Sequence, residues 1–450
     1  MVLQKLKIEN FKCFGAPVEI EFGKITLLTG ANSSGKSSVI YSILGAIQSG
    51  EFPYQFSTNG KYINMGDFKD VVFEHDSERK IKLGFEFKYD GSYKIETLWE
   101  INDEVNNLPK LHLLKSKSEY FNIEIKSSRK IFIGDIKEET INSPKLNPSE
   151  LFEHYYINSN EAARKQESSN AQDSSIELNK YLYEFYKETD VKGIELIEIP
   201  PQANSFADIK LRAMLNRVSD IFTSYDEKIN FISSFRQSPE RVYFEQSKSK
   251  YKVNNDGGGY LDQILYWEAN DKAKFAELGV IMKELNLLDS IKSRRMEGGR
   301  YEISVQTKEK GTSTSLSDVG FGVSQFMPII VADLQLPKAS TLYVAEPEIH
   351  LHPSVQSSFG DYLVKQVNDN DKNYVIETHS EYLLNKLRLA VVKGEIKEED
   401  VKVMFIDNSV SGSVIHNVKF NKDGSITGAP DNFFKTYMMD VMDIAIYAAE

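Results

Sequence analysis

Residues Gly30 to Ser37 read GANSSGKS, which fits the G-x-x-x-x-G-K-[ST] pattern of a phosphate-binding loop. In such a loop the glycines let backbone N–H groups surround a phosphate, and the following helix N-terminus favours negative charge. Lys36 would reach the β- and γ-phosphates, and the Ser37 hydroxyl would ligate Mg²⁺. A turn rich in glycine and serine could match by chance, so the flanking segments decide between the two interpretations.

Both flanking segments have the pattern that a phosphate loop requires. Residues 25–28 read ITLL and predict a buried strand, whereas residues 38–44 read SVIYSIL and predict a helix. Strand, loop and helix in this order are the context in which the pattern binds a nucleoside triphosphate. The sequence therefore predicts a nucleotide site at this position.

Composition limits the class of protein. The chain has 450 residues, of which 41% are hydrophobic, and this predicts two or three structural units with large cores. The single cysteine, Cys13, excludes an internal disulfide framework and favours a reducing compartment. The N-terminal segment lacks the apolar core of a signal peptide, and no apolar run has the length of a membrane span. We therefore expect a cytoplasmic protein with no membrane partner.

The net charge of −12 argues against a surface devoted to nucleic acid. Small basic clusters do occur, at 126–130, 248–252 and 292–300. Each is most simply a solvated loop. A local DNA-binding stripe stays an alternative, because charge can segregate to one face of a protein.

Changes in pattern along the chain divide it into three regions. Residues 1–135 contain the phosphate loop and strand-like runs that predict an antiparallel β-subdomain, and together they form a first lobe that contains the nucleotide site. Residues 136–227 are first polar and then helical, which predicts an insertion. Residues 228–450 alternate strands and helices and form a second lobe. The expected fold class is α/β, with a mainly parallel core sheet.

Further polar residues follow two predicted strands of the third region. Glu346 and Glu348 follow the strand 341–345, and His379 lies at the polar end of the strand that begins at residue 373. Because α/β sheets bind ligands at the carboxyl ends of their strands, we expect these residues near the phosphate loop. A carboxylate there can hold metal or orient water, and a histidine can bond the γ-phosphate.

The segment SLSDVGFGVSQ, residues 315–325, has two glycines and a serine at the start of an apolar helix. These residues, Gly320, Gly322 and Ser324, predict a second anion-binding nest. A chain with one phosphate loop and one separate nest suggests a site that two copies close together. Each nest would then cover the γ-phosphate bound to its neighbour.

These motifs together resemble those of ABC-type ATPases, in the cytosolic branch of chromosome-maintenance (SMC), RecF-like and overcoming-lysogenization-defect (OLD) proteins. IENFKCF…ITLLTGANSSGKSS resembles the first strands and the Walker A motif, and LSDVGFGVSQ resembles the signature motif. VAEPEIHLHP is similar to the Walker B motif with its D-loop, and IETHSEYLL to the switch-histidine motif. ISSFRQSPERVYF and GSITGAPDNFF further resemble a bacterial subgroup of standalone ATPases. The resemblance covers about residues 1–75 and 228–450.

The resemblance implies ATP and Mg²⁺ as cofactors and assigns roles to the matching residues. Those that would bind phosphates and Mg²⁺ are Gly30, Asn32, Ser33, Gly35, Lys36, Ser37 and Ser38. Those that would act in trans on the partner's nucleotide are Gly320, Gly322, Ser324 and Gln325. The catalytic set would be Lys36, Glu346, Glu348 and His379, with Ser37 and Glu346 at the metal.

The sequence departs from the family pattern at residue 345, where alanine replaces the Walker B acid. Loss of such a partner weakens metal sites about 10- to 100-fold, so slow turnover is expected. Two divisions of labour stay open. Glu346 activates the water, or Glu346 serves the metal and Glu348 the water.

The resemblance implies an ATP-hydrolysing homo-oligomer, either an ATP-sandwiched dimer or a larger even-numbered assembly. It also implies a role in bacterial antiphage defence, in which ATP controls a separately encoded effector such as a nuclease. One alternative is a repair ATPase that binds nucleic acid. Another is a nucleotide-gated scaffold with little hydrolysis, an alternative that the alanine at position 345 suggests.

Three further features had two interpretations each. Arg236 could be an arginine finger or a strand-end charge that pairs with a carboxylate, and the sequence does not favour either. His350 and His352 could bind zinc, but a D-loop contact is the preferred interpretation because no further ligand lies at suitable spacing. The C-terminal helix predicted at 433–442 could pack on its own core or in the groove of a partner, and the first is the preferred interpretation.

Overall fold

The computed structural model describes residues 1–89, 91–102, 107–118, 122–126, 130–134, 218–245, 252–431 and 433. Except for 218–227, the predicted insertion lies outside the described residues, and so does the predicted C-terminal helix beyond Phe433. The chain divides into two compact units. No helix among the described residues combines the length and the apolar character that crossing a membrane requires.

The N-terminal half contains mainly strands. They are β1 (Val2–Glu9), β2 (Val18–Glu21), β3 (Ile25–Gly30), β4 (Ile81–Lys88), β5 (Ser92–Asn102), β6 (Leu108–Ser118), β7 (Asn122–Lys126) and β8 (Lys130–Gly134). The helices in this part are α1 (Lys36–Gln48), α2 (Phe68–Val71) and α3 (218–227).

The C-terminal half alternates between helices and strands. Its helices are α4 (Tyr260–Asn270), α5 (Lys272–Glu284), α6 (Phe321–Gln335), α7 (Pro353–Asn370) and α8 (Glu381–Lys393). Its strands are β9 (Ile229–Ile232), β10 (Tyr243–Phe244), β11 (Ser290–Met296), β12 (Arg300–Gln306), β13 (Thr314–Ser315), β14 (Thr341–Ala345), β15 (Asn373–Glu377), β16 (Val401–Ser409), β17 (Gly412–Phe420) and β18 (Ile426–Thr427).

The first unit comprises Met1, Leu3–Lys12 and the chain from Ser42 to Tyr225. Its strands follow the order β1-β4-β5-β6-β7-β8, and the pairs from β4 to β8 are antiparallel. An aromatic cluster fills its core, where Phe222 of α3 lies with its ring centroid 4.6 Å from that of Phe52. Phe85, Phe87 and Trp99 complete this cluster. The predicted antiparallel β-subdomain is thus confirmed.

The second unit contains a mixed sheet in the order β18-β17-β16-β3-β15-β14-β9. The strands from β16 to β9 are parallel, and β17 and β18 extend the sheet in antiparallel fashion. A smaller antiparallel sheet contains β10, β12, β11 and β13. Every residue of β3, β14 and β15 is buried, as the apolar runs predicted. The α/β fold class is confirmed, and the ends of these three strands meet at one edge of the sheet.

A buried polar network ties helices to this sheet within the second unit. Asp333 of α6 is completely buried and accepts hydrogen bonds from the hydroxyls of Tyr362 and Tyr374. Lys372, which is 4% exposed, donates from Nζ to the Asp333 carboxylate at 3.2 Å and to the Leu336 carbonyl at 3.0 Å. One carboxylate therefore satisfies donors from α6's two neighbours, α7 and β15.

Replacing Asp333 by alanine is expected to lower the free energy of unfolding by about 3–5 kcal/mol, because it leaves the Lys372 charge buried without its carboxylate. Chemical denaturation of the purified protein measures this change. Asp361→Ala is the matched control, since Asp361 pairs with Lys386 at the surface and its loss should cost less than about 1 kcal/mol. Equal effects of the two substitutions would contradict the structural role given to the network.

Candidate nucleotide site

The phosphate loop requires glycine at two positions. Gly30 has φ of +135° and Gly35 has φ of +106°, both of which disfavour residues with a side chain. A Cβ atom on Gly30 would lie 2.0 Å from the Ile406 carbonyl oxygen, and one on Gly35 would lie 2.3 Å from Cys13 Sγ. The glycines of the motif are therefore fixed by the sheet and by the segment beneath the loop.

Lys36 is directed back toward the beginning of the loop. Lys36 is 3% exposed, and its Nζ donates hydrogen bonds to the carbonyls of Gly30 at 3.2 Å and Ala31 at 2.7 Å. Burial lowers the pKa of Lys36, and the nearby carboxylates of Glu377, Glu346 and Glu348 oppose that shift. The charge is thus held beside the loop and surrounded by acidic groups.

The other predicted loop residues differ in exposure. Asn32 and Ser33 are exposed at the turn, where Ser33 has φ of +59°, while Ser37 and Ser38 are half-buried in the first turn of α1. Exposed backbone at the turn is where a phosphate would approach from solvent.

Glu377 is a site residue that the sequence interpretation did not include. It is the last residue of β15 and is 5% exposed. The Ser37 hydroxyl lies 2.8 Å from one of its carboxylate oxygens and 3.0 Å from the other. Burial raises the pKa of Glu377, whereas the Ser37 hydrogen bond and Lys36 lower it. The sequence did contain a signal for Glu377, because it is a carboxylate at the end of a predicted buried strand. The interpretation selected His379, two residues later, instead.

Glu348 is bound to the segment after β15. Its carboxylate accepts a hydrogen bond from the Thr378 hydroxyl at 2.9 Å and from the His379 backbone N–H at 2.5 Å. Burial raises the pKa of Glu348, and these hydrogen bonds counteract the rise. Burial also lowers the pKa of the His379 imidazole, and Lys36 adds to the effect. His379 is therefore neutral at pH 7, with one ring nitrogen to donate and one to accept.

Glu346 has a different environment from Glu348. Its backbone adopts φ of +46°, and within the described part of the chain no hydrogen bond to its carboxylate is found. Arg236, in the loop after β9, holds this turn, because its Nη2 donates to the carbonyls of Ala345 at 2.7 Å and Glu346 at 3.1 Å. The Glu346 carboxylate is thus half-buried and available, on a backbone that is fixed.

Arg236 itself is 8% exposed, and burial lowers its pKa to about 10. Its Nε and Nη1 atoms have no hydrogen-bond partner among the residues that the structure describes. The guanidinium interacts electrostatically with the carboxylates of Glu348 and Glu346, in line with the interpretation as a strand-end charge, and its hydrogen bonds go to backbone carbonyls of its own chain. The guanidinium supports the Glu346 turn.

The signature segment, residues 315–325, lies beside this turn. Gly320 is exposed and precedes α6, with no atom within 4 Å of a Cβ built on it. Gly322 is close to the His350 carbonyl, 2.7 Å from where its Cβ would lie. Ser324 and Gln325 are buried, and Gln325 Nε2 donates to the Gln237 carbonyl at 3.1 Å. In the described ranges no hydrogen bond joins this segment to the phosphate loop of the same chain.

The donors at the site fit the predicted metal. Ser37 and the carboxylates offer only oxygen ligands, which Mg²⁺ prefers, and Mg²⁺ usually keeps waters and phosphate oxygens as its other ligands. The described residues include no group of three His, Cys, Asp or Glu side chains that could hold a metal ion by themselves, so nucleotide phosphates and water would supply the remaining ligands. His352 caps the N-terminus of α7. Its Nδ1 accepts a hydrogen bond from the Ser354 backbone N–H at 3.3 Å.

A sequence match to the AAA ATPase domain extends over residues 1–384. The chain belongs to the AAA ATPase domain family. The matched range of this AAA ATPase domain includes the phosphate loop, the signature segment and the first residues of α8. No curated protein is similar enough to it in sequence to count as a match.

Several solved structures are similar to this AAA ATPase domain at low sequence identity. The SMC head domain from Thermotoga maritima is 13% identical, with a TM-score of 0.43, and the alignment covers 93% of this chain and 99% of that chain. An SMC head bound to the C-winged helix domain of ScpA is 11% identical, covers 93% and 98%, and has a TM-score of 0.46. An SMC head with an extended coiled coil, bound to the C-terminal domain of ScpA from Pyrococcus furiosus, is 11% identical, covers 98% and 99%, and has a TM-score of 0.39.

Proposed function

We propose that this AAA ATPase domain binds ATP with Mg²⁺ and hydrolyses the bond to the γ-phosphate. The observation that carries the proposal is that β3, which leads into the phosphate loop, β15 and β14 are neighbouring parallel strands, so that Lys36, Glu346 and Glu348 lie at their shared carboxyl ends. Loop N–H groups and Lys36 hold the β- and γ-phosphates, and Ser37 ligates the metal. When bound, Mg²⁺ neutralises phosphate charge and orients the phosphates for in-line attack.

The chain's own groups then perform the chemistry. Glu346, whose carboxylate is available, orients the attacking water and accepts its proton. Neutral His379 donates a hydrogen bond toward the γ-phosphate, and Lys36 stabilises the charge that develops there. Glu348 fixes the His379 backbone and so keeps the imidazole in place.

The signature segment acts in trans in this proposal. Gly320 leaves the N-terminus of α6 exposed, and such an end favours an anion. The helix would meet the γ-phosphate held by a second copy, so that an ATP-sandwiched dimer or a larger even-numbered assembly forms the complete site. Gly322, Ser324 and Gln325 would shape that helix end from within.

A mixing experiment tests this arrangement. Gly320→Asp places a negative charge at the helix N-terminus without a clash, so we expect it to retain ATP binding and lose hydrolysis. Mixed in equal amounts with Lys36→Ala, which is also inactive, it should recover about a quarter of the wild-type rate, because half of randomly formed dimers contain one intact site.

Gly279→Asp is the matched control, since Gly279 also has open space around its Cβ position but lies in α5. This variant should be as active as wild type. Its equal mixture with Lys36→Ala should therefore show about half of the wild-type rate, which is the activity of the Gly279→Asp chains alone. A mixture of Gly320→Asp and Lys36→Ala that stays inactive would exclude the trans role.

We further propose that nucleotide state controls a separately encoded effector, such as a nuclease, in bacterial antiphage defence. The sequence resemblance to standalone defence ATPases supports this assignment. Co-purification of a nuclease encoded by a neighbouring gene, with a dependence on ATP, is the test. Turnover that DNA stimulates would instead favour a repair ATPase, and nucleotide binding without phosphate release would favour a scaffold.

A further inference from the structure

We propose that Glu377 provides the metal-positioning carboxylate that residue 345 lacks, so that Ser37 and Glu377 form the protein's side of the Mg²⁺ site. This inference rests on the proposed binding of ATP with Mg²⁺. It moves the acidic function from the end of β14 to the end of the neighbouring strand β15. The replacement of the Walker B acid by alanine then becomes a relocation of the carboxylate.

The strand register explains why the two positions are equivalent. Ala345 and Glu377 are direct partners in the parallel pair β14 and β15. Partners on neighbouring strands direct their side chains to the same face of the sheet. A carboxylate on β15 at this level therefore projects from the same face and edge as one on β14 would.

The contact with Ser37 indicates what the carboxylate does. The Ser37 hydroxyl is within hydrogen-bond distance of both oxygens of Glu377, at 2.8 and 3.0 Å. One hydroxyl proton serves only one oxygen at a time. If the Ser37 oxygen held Mg²⁺, this hydrogen bond would orient it, and the second carboxylate oxygen of Glu377 would be free to help hold the ion.

The local charge also favours a cation. Glu346, Glu348 and Glu377 all interact electrostatically with Lys36, and Arg236 is the other positive group that interacts with Glu346 and Glu348. Three carboxylates thus face two cationic side chains in a partly buried region. A divalent cation would offset this excess of negative charge.

A purely structural role for Glu377 is the competing explanation. A buried carboxylate near the N-terminus of α1 would stabilise the helix through its dipole. That role predicts a lower melting temperature after substitution and no change in the dependence of nucleotide binding on Mg²⁺. The two explanations therefore differ in a binding measurement, without any need to follow turnover.

The experiment measures the affinity of the full-length chain for a fluorescent ATP analogue with Mg²⁺ and with EDTA. We expect Glu377→Gln, which keeps the size of the side chain, to reduce the strengthening by Mg²⁺ about 10- to 100-fold and to leave the affinity in EDTA unchanged. The double variant Ala345→Asp with Glu377→Ala should recover the Mg²⁺ dependence. Glu381→Gln, four residues further along and outside the site, is the control.

Each result has a distinct meaning. Failure of wild type to bind the analogue in either condition would overturn the proposed function. Wild-type binding that Mg²⁺ strengthens, together with unchanged strengthening in both Glu377→Gln and the double variant, would overturn the inference and leave the proposed function standing. Direct titration with Mn²⁺ in the presence of the analogue provides a second readout of the same metal site.

Discussion

Glu346→Gln is expected to reduce ATP hydrolysis by about a hundredfold to ten-thousandfold and to leave ATP binding intact, because it removes the group that accepts the proton of the water. The structure separates this residue from Glu348. The Glu348 carboxylate is occupied by the Thr378 hydroxyl and the His379 N–H, whereas the Glu346 carboxylate is available on a turn that Arg236 fixes. Phosphate release under saturating ATP measures the effect.

Glu348→Gln is the matched control, since it makes the same chemical change two residues away. A glutamine there keeps an acceptor for one of the two donors, so we expect a smaller fall in rate and a lower melting temperature. A large loss of hydrolysis in Glu348→Gln together with near-normal rates in Glu346→Gln would assign the water to Glu348. Of the two divisions of labour that the sequence left open, this would select the second.

Lys36→Ala is expected to weaken ATP binding about a hundredfold, which corresponds to roughly 3 kcal/mol. The ammonium is buried beside the loop, and its present partners are the carbonyls of Gly30 and Ala31. Phosphate oxygens carry full negative charge and form stronger hydrogen bonds to it than these neutral acceptors do. Equilibrium titration with a fluorescent ATP analogue measures the loss.

Lys365→Ala serves as the control for that substitution. Lys365 forms an exposed ion pair with Glu284 at 3.0 Å and does not belong to the phosphate loop. The Lys365→Ala variant should bind the analogue with the same affinity as wild type. A Lys36→Ala variant that remains folded and binds the analogue as tightly as wild type would contradict the role of the phosphate loop.

The prediction of the fold succeeded where the pattern is local. The apolar runs at 25–28, 341–345 and 373–377 each became a buried parallel strand, and the helices begin at Pro353 and Glu381 as predicted. The antiparallel pair β16 and β17 was not foreseen. These two strands are adjacent in the chain and only Val410 and Ser411 separate them, so the pair is a local hairpin that the alternation of residues could have indicated.

For the site, the sequence by itself determined the phosphate loop, since the glycine positions, Lys36 and Ser37 follow from adjacent residues whose backbone must accept a phosphate. It also placed Glu346, Glu348 and His379 after strands. Only the tertiary structure decided that Glu377 meets Ser37 and that Arg236 supports the Glu346 turn. The reason is the order of the strands: β15 lies between β3 and β14, so the sheet brings Ser37, which follows β3, to the end of β15, and no short stretch of sequence contains both partners.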